Sequence, residues 1–349
     1  MRKYLLPKEG NFYKANLHMH TTVSDGKMTP EETKQAFVEK GYSIVAFTDH
    51  EVMVPHPELE DESFLPITST EINIDKDMKS GLSFSYRLTY HMNLYSPDKN
   101  RTDFAYFGAN RPWGNARAFI LPEQSDKYID RKYCAKYINK MIADCKKEGF
   151  LVSYNHPVWS EQDYADYIDL KGVWGVEWHN TGCVLAGYPD TIQPIEDLTR
   201  KGEFVVPLAT DDAHGLYHCF GGWNMIKAEK LDYDCVFNAM KNGDLYSSNG
   251  PEIKELYIED GVVHVETSEA DAVFLTTERR WNRDKHAKDG VALTSVDFDI
   301  NAYVNDSHLG ESKCEPYFRI TVQDKYGKLA YTRAYKLSEI YDNKWVEKE

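Results

Sequence analysis

The chain has 349 residues and carries 41 Lys and Arg against 56 Asp and Glu, a formal charge of −15. With 42% hydrophobic and 28% charged residues it has the composition of a globular protein with a sizeable core, which excludes wholesale disorder. The acidic balance argues against bulk nucleic-acid binding, and no stretch reaches the ~18 apolar residues of a membrane span.

At ~150 residues per domain the length allows two domains. The opening MRKYLLPKEGNFY has an apolar run of two leucines, short of a secretory core, so a cytoplasmic protein with no membrane partner is expected. YKANLHMH reads as a strand. TPEETKQAFVEKG reads as a helix, with Thr29 as N-cap, Pro30 at its first position and Gly41 past its end. SIVAFT, FLPITSTEI and RLTYHMNLY read as further strands. A long helix is expected from Ser125 to Lys147, stopped by Gly149. FLVSYN, GVWGVEW and FVVPLAT follow as strands between helical stretches such as DTIQPIEDLTRKG. Alternating units of this kind indicate a parallel α/β sheet, closed as a barrel or left open.

After Gly250 the pattern changes to short alternating strands, from IKELYIE to LAYTRAYKL, with turns at Asp260-Gly261 and Tyr326-Gly327. The expected division is 1–249 as an α/β unit and 250–349 as an antiparallel β-sandwich. Residues 96–122, rich in aromatics and Arg, are too long for a plain connection and read as an ordered lid or interface. The six cysteines contain no C-x-x-C pair and fit reduced thiols.

Nine of the twelve histidines fall in the first 218 residues. His18 and His20 close the first strand, and His50 the second. Glu71 ends the third, His91 lies in the fourth, His156 follows the next, and Asp212 and His214 follow the last. Carboxyl ends of such strands share one rim, and residues i and i+2 of a strand share one face. Six imidazoles with Asp25, Glu71 and Asp212 exceed the needs of one ion. The set suits two or three divalent ions, with Zn, Mn or Fe favoured by imidazole plus carboxylate and no thiolate.

The ordered motifs HMHTTVSDG, FTDH, STE, YHMN, YNHP and DDAH resemble the PHP (polymerase and histidinol phosphatase) superfamily over residues 12–220. The resemblance implies a distorted (β/α)7 barrel with a di- or trinuclear metal centre. It implies hydrolysis of a small-molecule or nucleotide phosphoester by a metal-bridging hydroxide. It assigns His18, His20, Asp25, His50, Glu71, His91, His156, Asp212 and His214 as metal ligands. The β region resembles domains added to some stand-alone phosphoesterases of that superfamily, and the arrangement leaves room for a homodimer. The same barrel chemistry also serves carboxylic or carbamic ester hydrolysis, a second enzymatic reading.

Asp212, His214 and His179 are the catalytic candidates, with Asp211 as a further proton carrier. His179 enters because VEWHN alternation puts it on one face with Glu177. Arg111, Arg117 and Asn180 are the substrate-binding candidates, and Arg87 and Arg101 share the phosphate-clamping chemistry of Arg. His56, His264, His286 and His308 are expected on the surface. Trp281 and Tyr303 read as core aromatics, with a carbohydrate platform as the alternative.

Overall fold

The computed structural model of the chain describes residues 2–76 and 88–341; Arg87 lies outside them. Strands β1 (Lys3–Tyr4), β2 (Asn11–Met19), β3 (Ile44–Phe47), β4 (Leu65–Asp75) and β5 (Thr89–Tyr95) come first, with helix α1 (Pro30–Glu39) between β2 and β3. Helix α2 (Ala135–Lys147) leads to β6 (Leu151–Tyr154), and α3 (Tyr164–Tyr167) to β7 (Gly175–Asn180). Helices α4 (Thr181–Leu185) and α5 (Gln193–Arg200) precede β8 (Val206–Thr210). Then come β9 (Trp223–Ala228), α6 (Tyr233–Asn242) and β10 (Leu245–Ser248). The C-terminal strands are β11 (Ile253–Glu259), β12 (Val262–Ala270), β13 (Ala272–Thr277), β14 (Arg283–His286), β15 (Leu293–Asp299), β16 (Tyr317–Gln323) and β17 (Leu329–Thr332).

Helix α1 forms where its capping residues require. Thr29 Oγ1 accepts from Glu32 N–H, the Glu32 carboxylate accepts from Thr29 N–H, and Gly41 takes φ 75° beyond the end. Helix α2 is shorter than expected, starting at Ala135 instead of Ser125. The ten preceding residues pair outside any helix: Ala109 N–H donates to Lys127 O (2.8 Å), and Ile129 N–H to Asn110 Oδ1 (3.0 Å). These bonds anchor residues 96–122, which are ordered as turns and short 3-10 helices with Phe104, Phe107 and Ala116 buried.

The main sheet runs β14-β13-β16-β17-β10-β9-β2-β3-β4-β5-β6-β7-β8. Two corrections to the (β/α)7 barrel follow. First, β5 is antiparallel to both β4 and β6, so the run is mixed instead of all parallel. The sequence between Asp75 and Thr89 carries no helical pattern, and adjacent antiparallel strands need no crossover helix. Second, a closed barrel is not shown: among the described residues, β2 is joined to the segment after β8 by an isolated bridge, Met19 to Ala213, and not by a strand ladder. Even so, Asp212 N–H donates to His18 O (3.0 Å) and His20 N–H to Ala213 O (3.1 Å), which bring the last strand end beside the first.

The C-terminal strands form a sandwich. One layer is the antiparallel sheet β1-β11-β12-β15, and the other is the β13, β16 and β17 end of the main sheet. Val263, Val265 and Phe298 of the first layer share a core with Val273, Leu275, Phe318 and Ile320 of the second. Tyr303 is buried in that core, its ring stacked on Trp281 with centroids 5.0 Å apart, which excludes the carbohydrate platform for this pair. The second layer continues into the α/β sheet through the pairing of β17 with β10, and residues 3–4 join the sandwich as β1.

Candidate metal centre

The expected donors converge. At the end of β2, His18 and His20 turn to one side while Met19 packs into the core. The next turn is shaped by Asp49, whose carboxylate accepts from Thr21 N–H (2.8 Å), Ser24 N–H (3.1 Å) and Ser24 Oγ (2.7 Å). Gly26 permits its closeness, since a Cβ there would sit 2.2 Å from His20 O. This turn delivers Asp25, with Oδ2 3.4 Å from His214 Nε2 and Oδ1 3.8 Å from His50 Nε2.

Glu71 stands at the centre. Its Oε1 lies 3.3 Å from His18 Nε2, 3.1 Å from His91 Nδ1 and 3.3 Å from His156 Nε2. Its Oε2 lies 3.4 Å from His20 Nε2 and 3.2 Å from His50 Nδ1. Asp212 Oδ1 lies 3.1 Å from His20 Nε2 and 3.3 Å from His18 Nε2. His91 arrives from the start of β5, opposite Asn73, because β5 runs backwards along β4. All nine expected ligands therefore meet at one place. Glu51, His156 and Asp212 hold positive φ there, at 65°, 26° and 49°.

The donor set fits cations. His18 Nδ1–H donates to Glu177 Oε1 (2.7 Å), which aims Nε2 inward, where His20 Nε2 faces it at 3.2 Å. His20 Nδ1, His50 Nδ1, His91 Nε2 and Asp212 Oδ1 are buried and lack a hydrogen-bond partner. Buried polar atoms left unpaired are costly, and a divalent ion satisfies several at once. The charges tell the same story. Burial works to lower His20, but the adjacent carboxylates of Asp212 and Glu71 outweigh it and raise its pKa to about 10. Burial and the neighbouring His20 push His50 down to about 3. Burial works to raise Glu71 and Asp212, but the surrounding imidazoles, His91 and His18 for Glu71 and His18 and His20 for Asp212, hold both well below the usual carboxylate range.

Beside this cluster lies a cavity of about 560 Å³, lined by Asp25, His50, Glu71, His91, His156, Asp212 and His214 together with Glu51, Asn73, Asp75, Arg111, Trp113 and Trp159. Arg111 lines it as expected, with Nη2 donating to Asn73 O (2.9 Å) and lying 3.2 Å from Asp75 Oδ2. Arg117 does not: it is exposed, and its Nε donates to Pro112 O (3.2 Å). Arg101 pairs with Glu148 away from the cavity.

Residues 16–167 match the family model described as the PHP domain. The chain contains a PHP domain. Glu177, Asp212 and His214 lie beyond the matched segment and complete the same cluster. Three solved structures are similar to the chain. A two-domain protein from Bacteroides vulgatus containing a predicted PHP-like metal-dependent phosphoesterase is 15% identical, covering 95% of this chain and 98% of its own, with a TM-score of 0.45. An amidohydrolase from Chromobacterium violaceum is 13% identical over 66% of this chain and 96% of its own, with a TM-score of 0.41. A lesion-specific endonuclease from Pyrococcus furiosus is 13% identical over 66% of this chain and 56% of its own, with a TM-score of 0.38. No curated protein matches the chain.

Several expectations next to the PHP cluster need correction. His179 turns away: Nδ1 lies 2.9 Å from Asp190, and Nε2 3.1 Å from Thr181 Oγ1. A bulge between Glu177 and His179 in the pairing of β7 with β8 breaks the alternation that put the two on one face. Asn180 orients a ligand, its Nδ2 donating to Glu177 Oε2 (3.0 Å) and Asp212 Oδ2 (3.2 Å), while its Oδ1 caps α4 by accepting from Cys183 N–H. Asp211 is occupied by Thr181 Oγ1 and by the N–H groups of Phe220, Gly221 and Gly222, and burial raises its pKa. His56 is buried against Phe47, with ring centroids 4.9 Å apart. The six cysteines are free; Cys145, Cys183 and Cys314 are buried, and Cys134 is exposed.

The sequence reading missed the supports. Glu177 accepts from His18 Nδ1–H, Thr210 Oγ1 (2.7 Å), His156 N–H (2.9 Å) and Asn180. Its four donors leave it saturated, so it orients His18 and His156. Glu51 receives a two-pronged contact from the buried Arg131 (2.6 and 2.7 Å), tying the 96–134 segment to the turn after His50. Only the FTDHE and VEWHN contexts hinted at these two acids.

Proposed function

We propose that the chain is a metal-dependent phosphoesterase that holds two or three divalent ions, Zn, Mn or Fe, in its α/β unit (1–249), with the β unit (250–349) as an appended sandwich. The reading is carried by one observation: nine donors from seven chain segments meet with four buried, unpartnered atoms among them. His20, Asp25, His50 and His214 would hold one ion. His18, His20 and Glu71, and Glu71, His91 and His156, would hold others, with Glu71 shared and Asp212 Oδ1 beside His20 and His18. Divalent ions at such a site lower the pKa of a coordinated water toward ~7 and neutralise charge on a phosphoryl group.

The residues of the chain do the rest. Glu177 fixes the ring of His18, Asn180 fixes Asp212, and Ser160 Oγ lies 3.3 Å from His156 Nδ1. Asp212 and His214 are the proposed catalytic residues: Asp212 Oδ1 is unpaired in the cluster, and His214, 30% exposed, is the most accessible of these imidazoles. Arg111 is the proposed substrate contact. The test is metal analysis of the purified protein together with phosphate release from a panel of phosphoesters. His20→Ala is expected to lose bound metal and most turnover. Stoichiometric metal and full turnover in that variant would refute the proposal.

A further inference from the structure

We propose that the cavity selects phosphoesters whose leaving group carries a flat aromatic ring and no second anionic group, which rests on the phosphoesterase reading. Two indoles flank the cluster. The rings run Trp113, His50, His91, Trp159, with centroid steps of 5.2, 5.9 and 5.2 Å, and both tryptophans line the cavity. Trp113 is 41% exposed, a large apolar surface left at the mouth. Its segment is held in place, because Arg111 is bonded to Asn73 O and Asp75, and Asn115 Nδ2 donates to Thr22 O (3.3 Å). The indole is thus a preset wall. An aromatic ring laid on either wall covers apolar area and gains ring–ring contact.

The charges decide what else the leaving group can carry. Among the described residues lining the cavity, Arg111 is the one Lys or Arg; it is the proposed contact of the phosphoryl group itself and is shared with Asp75, with Glu51 3.8 Å from its Nε. Glu51 and Asp75 lie outside the proposed ligand set. Beyond the ions and Arg111, the cavity therefore offers a second phosphate or carboxylate no further cation, and the pairing of Arg111 with Asp75 leaves it little net positive charge. A volume of about 560 Å³ holds a phosphoester with one ring system.

In the reaction a water oxygen joins phosphorus, the ester P–O bond breaks, and the alkoxide takes a proton from that water. Three primary alkyl esters keep this bond the same: ethyl phosphate, 2-phenylethyl phosphate and 2-carboxyethyl phosphate. With the metal-loaded full chain, kcat/KM for the phenylethyl ester is expected about tenfold or more above ethyl, and the carboxyethyl ester below ethyl. Trp113→Ala and Trp159→Ala are expected to shrink the phenylethyl-to-ethyl ratio, and Asp75→Asn to raise the carboxyethyl ester. Calorimetric titration of the wild-type chain with 2-phenylethylphosphonate and ethylphosphonate reads the same preference without turnover and without a variant. Equal Kd values for the two phosphonates, or phosphate release with equal kcat/KM for the phenylethyl and ethyl esters, overturn the inference and leave the phosphoesterase standing. A phosphonate preference with no phosphate released from any ester overturns the phosphoesterase reading and leaves the selectivity of the cavity standing.

Discussion

Glu177→Gln removes one charge from the support of the metal centre while keeping its shape. The carboxylate accepts on both oxygens: His18 Nδ1–H and Thr210 Oγ1 on Oε1, His156 N–H and Asn180 Nδ2 on Oε2. Glutamine offers one oxygen and one NH₂ group, so one of these donor pairs must face a donor. Losing a hydrogen bond to a charged acceptor costs about 1.5–3 kcal/mol. Removing a support behind a ligating histidine weakens metal binding by about 10–100-fold, equal to about 1.4–2.7 kcal/mol, and the two figures agree. Competition against a chromophoric chelator measures the affinity directly, and the expected result is a Kd for zinc raised by that factor. A Kd within about threefold of wild type would show that Glu177 does not orient the ligands.

Stripping the metal should expose a pH signature. In the metal-free chain the His20 pKa is raised from 6.5 to about 10, so its stabilisation is full below pH 6.5 and lost as pH rises toward 10. His50, lowered from 6.5 to about 3, loses stabilisation as pH falls below 6.5, and the depressed Glu71 does so below about pH 4.5. The Tm of the chelated protein should therefore peak near pH 6.5; a steady rise from pH 5 to 9 would contradict this. Metal binding must displace the His20 proton, so calorimetry at pH 7 in buffers of different ionisation enthalpy should show proton release, and equal heats would refute it. His179→Ala should keep its metal while losing about 1–3 kcal/mol from the broken contacts to Asp190 and Thr181, checked by metal analysis and denaturant melts. Thr29→Ala should cost about 1 kcal/mol through its cap and leave metal content unchanged.

The converging donors were legible because most sit on, or shortly after, a strand and each carries its chemistry in its own side chain. The pair His18 and His20 needed only the two-residue period of a strand. The same period misled at His179, because one extra residue in β7 reverses the faces and no composition signal marks a bulge. Helix α1 was legible through Thr29 and Glu32, whose capping is local. The start of α2 was not, because Ala109 and Asn110, some twenty residues upstream, hold residues 127 and 129 in irregular backbone.

By itself the sequence determined most of the elements, the β-rich C-terminal part and the identity of nine donors that converge, since periodicity, caps and donor chemistry are properties of neighbouring residues. Only the tertiary structure decided that β5 runs antiparallel and carries His91 to the rim. It alone joined the sandwich to the main sheet, set Glu177 behind His18 and aimed two indoles at the cavity. Those outcomes depend on strand pairing and side-chain direction across 20 to 160 positions of chain, where no local pattern constrains which face meets which.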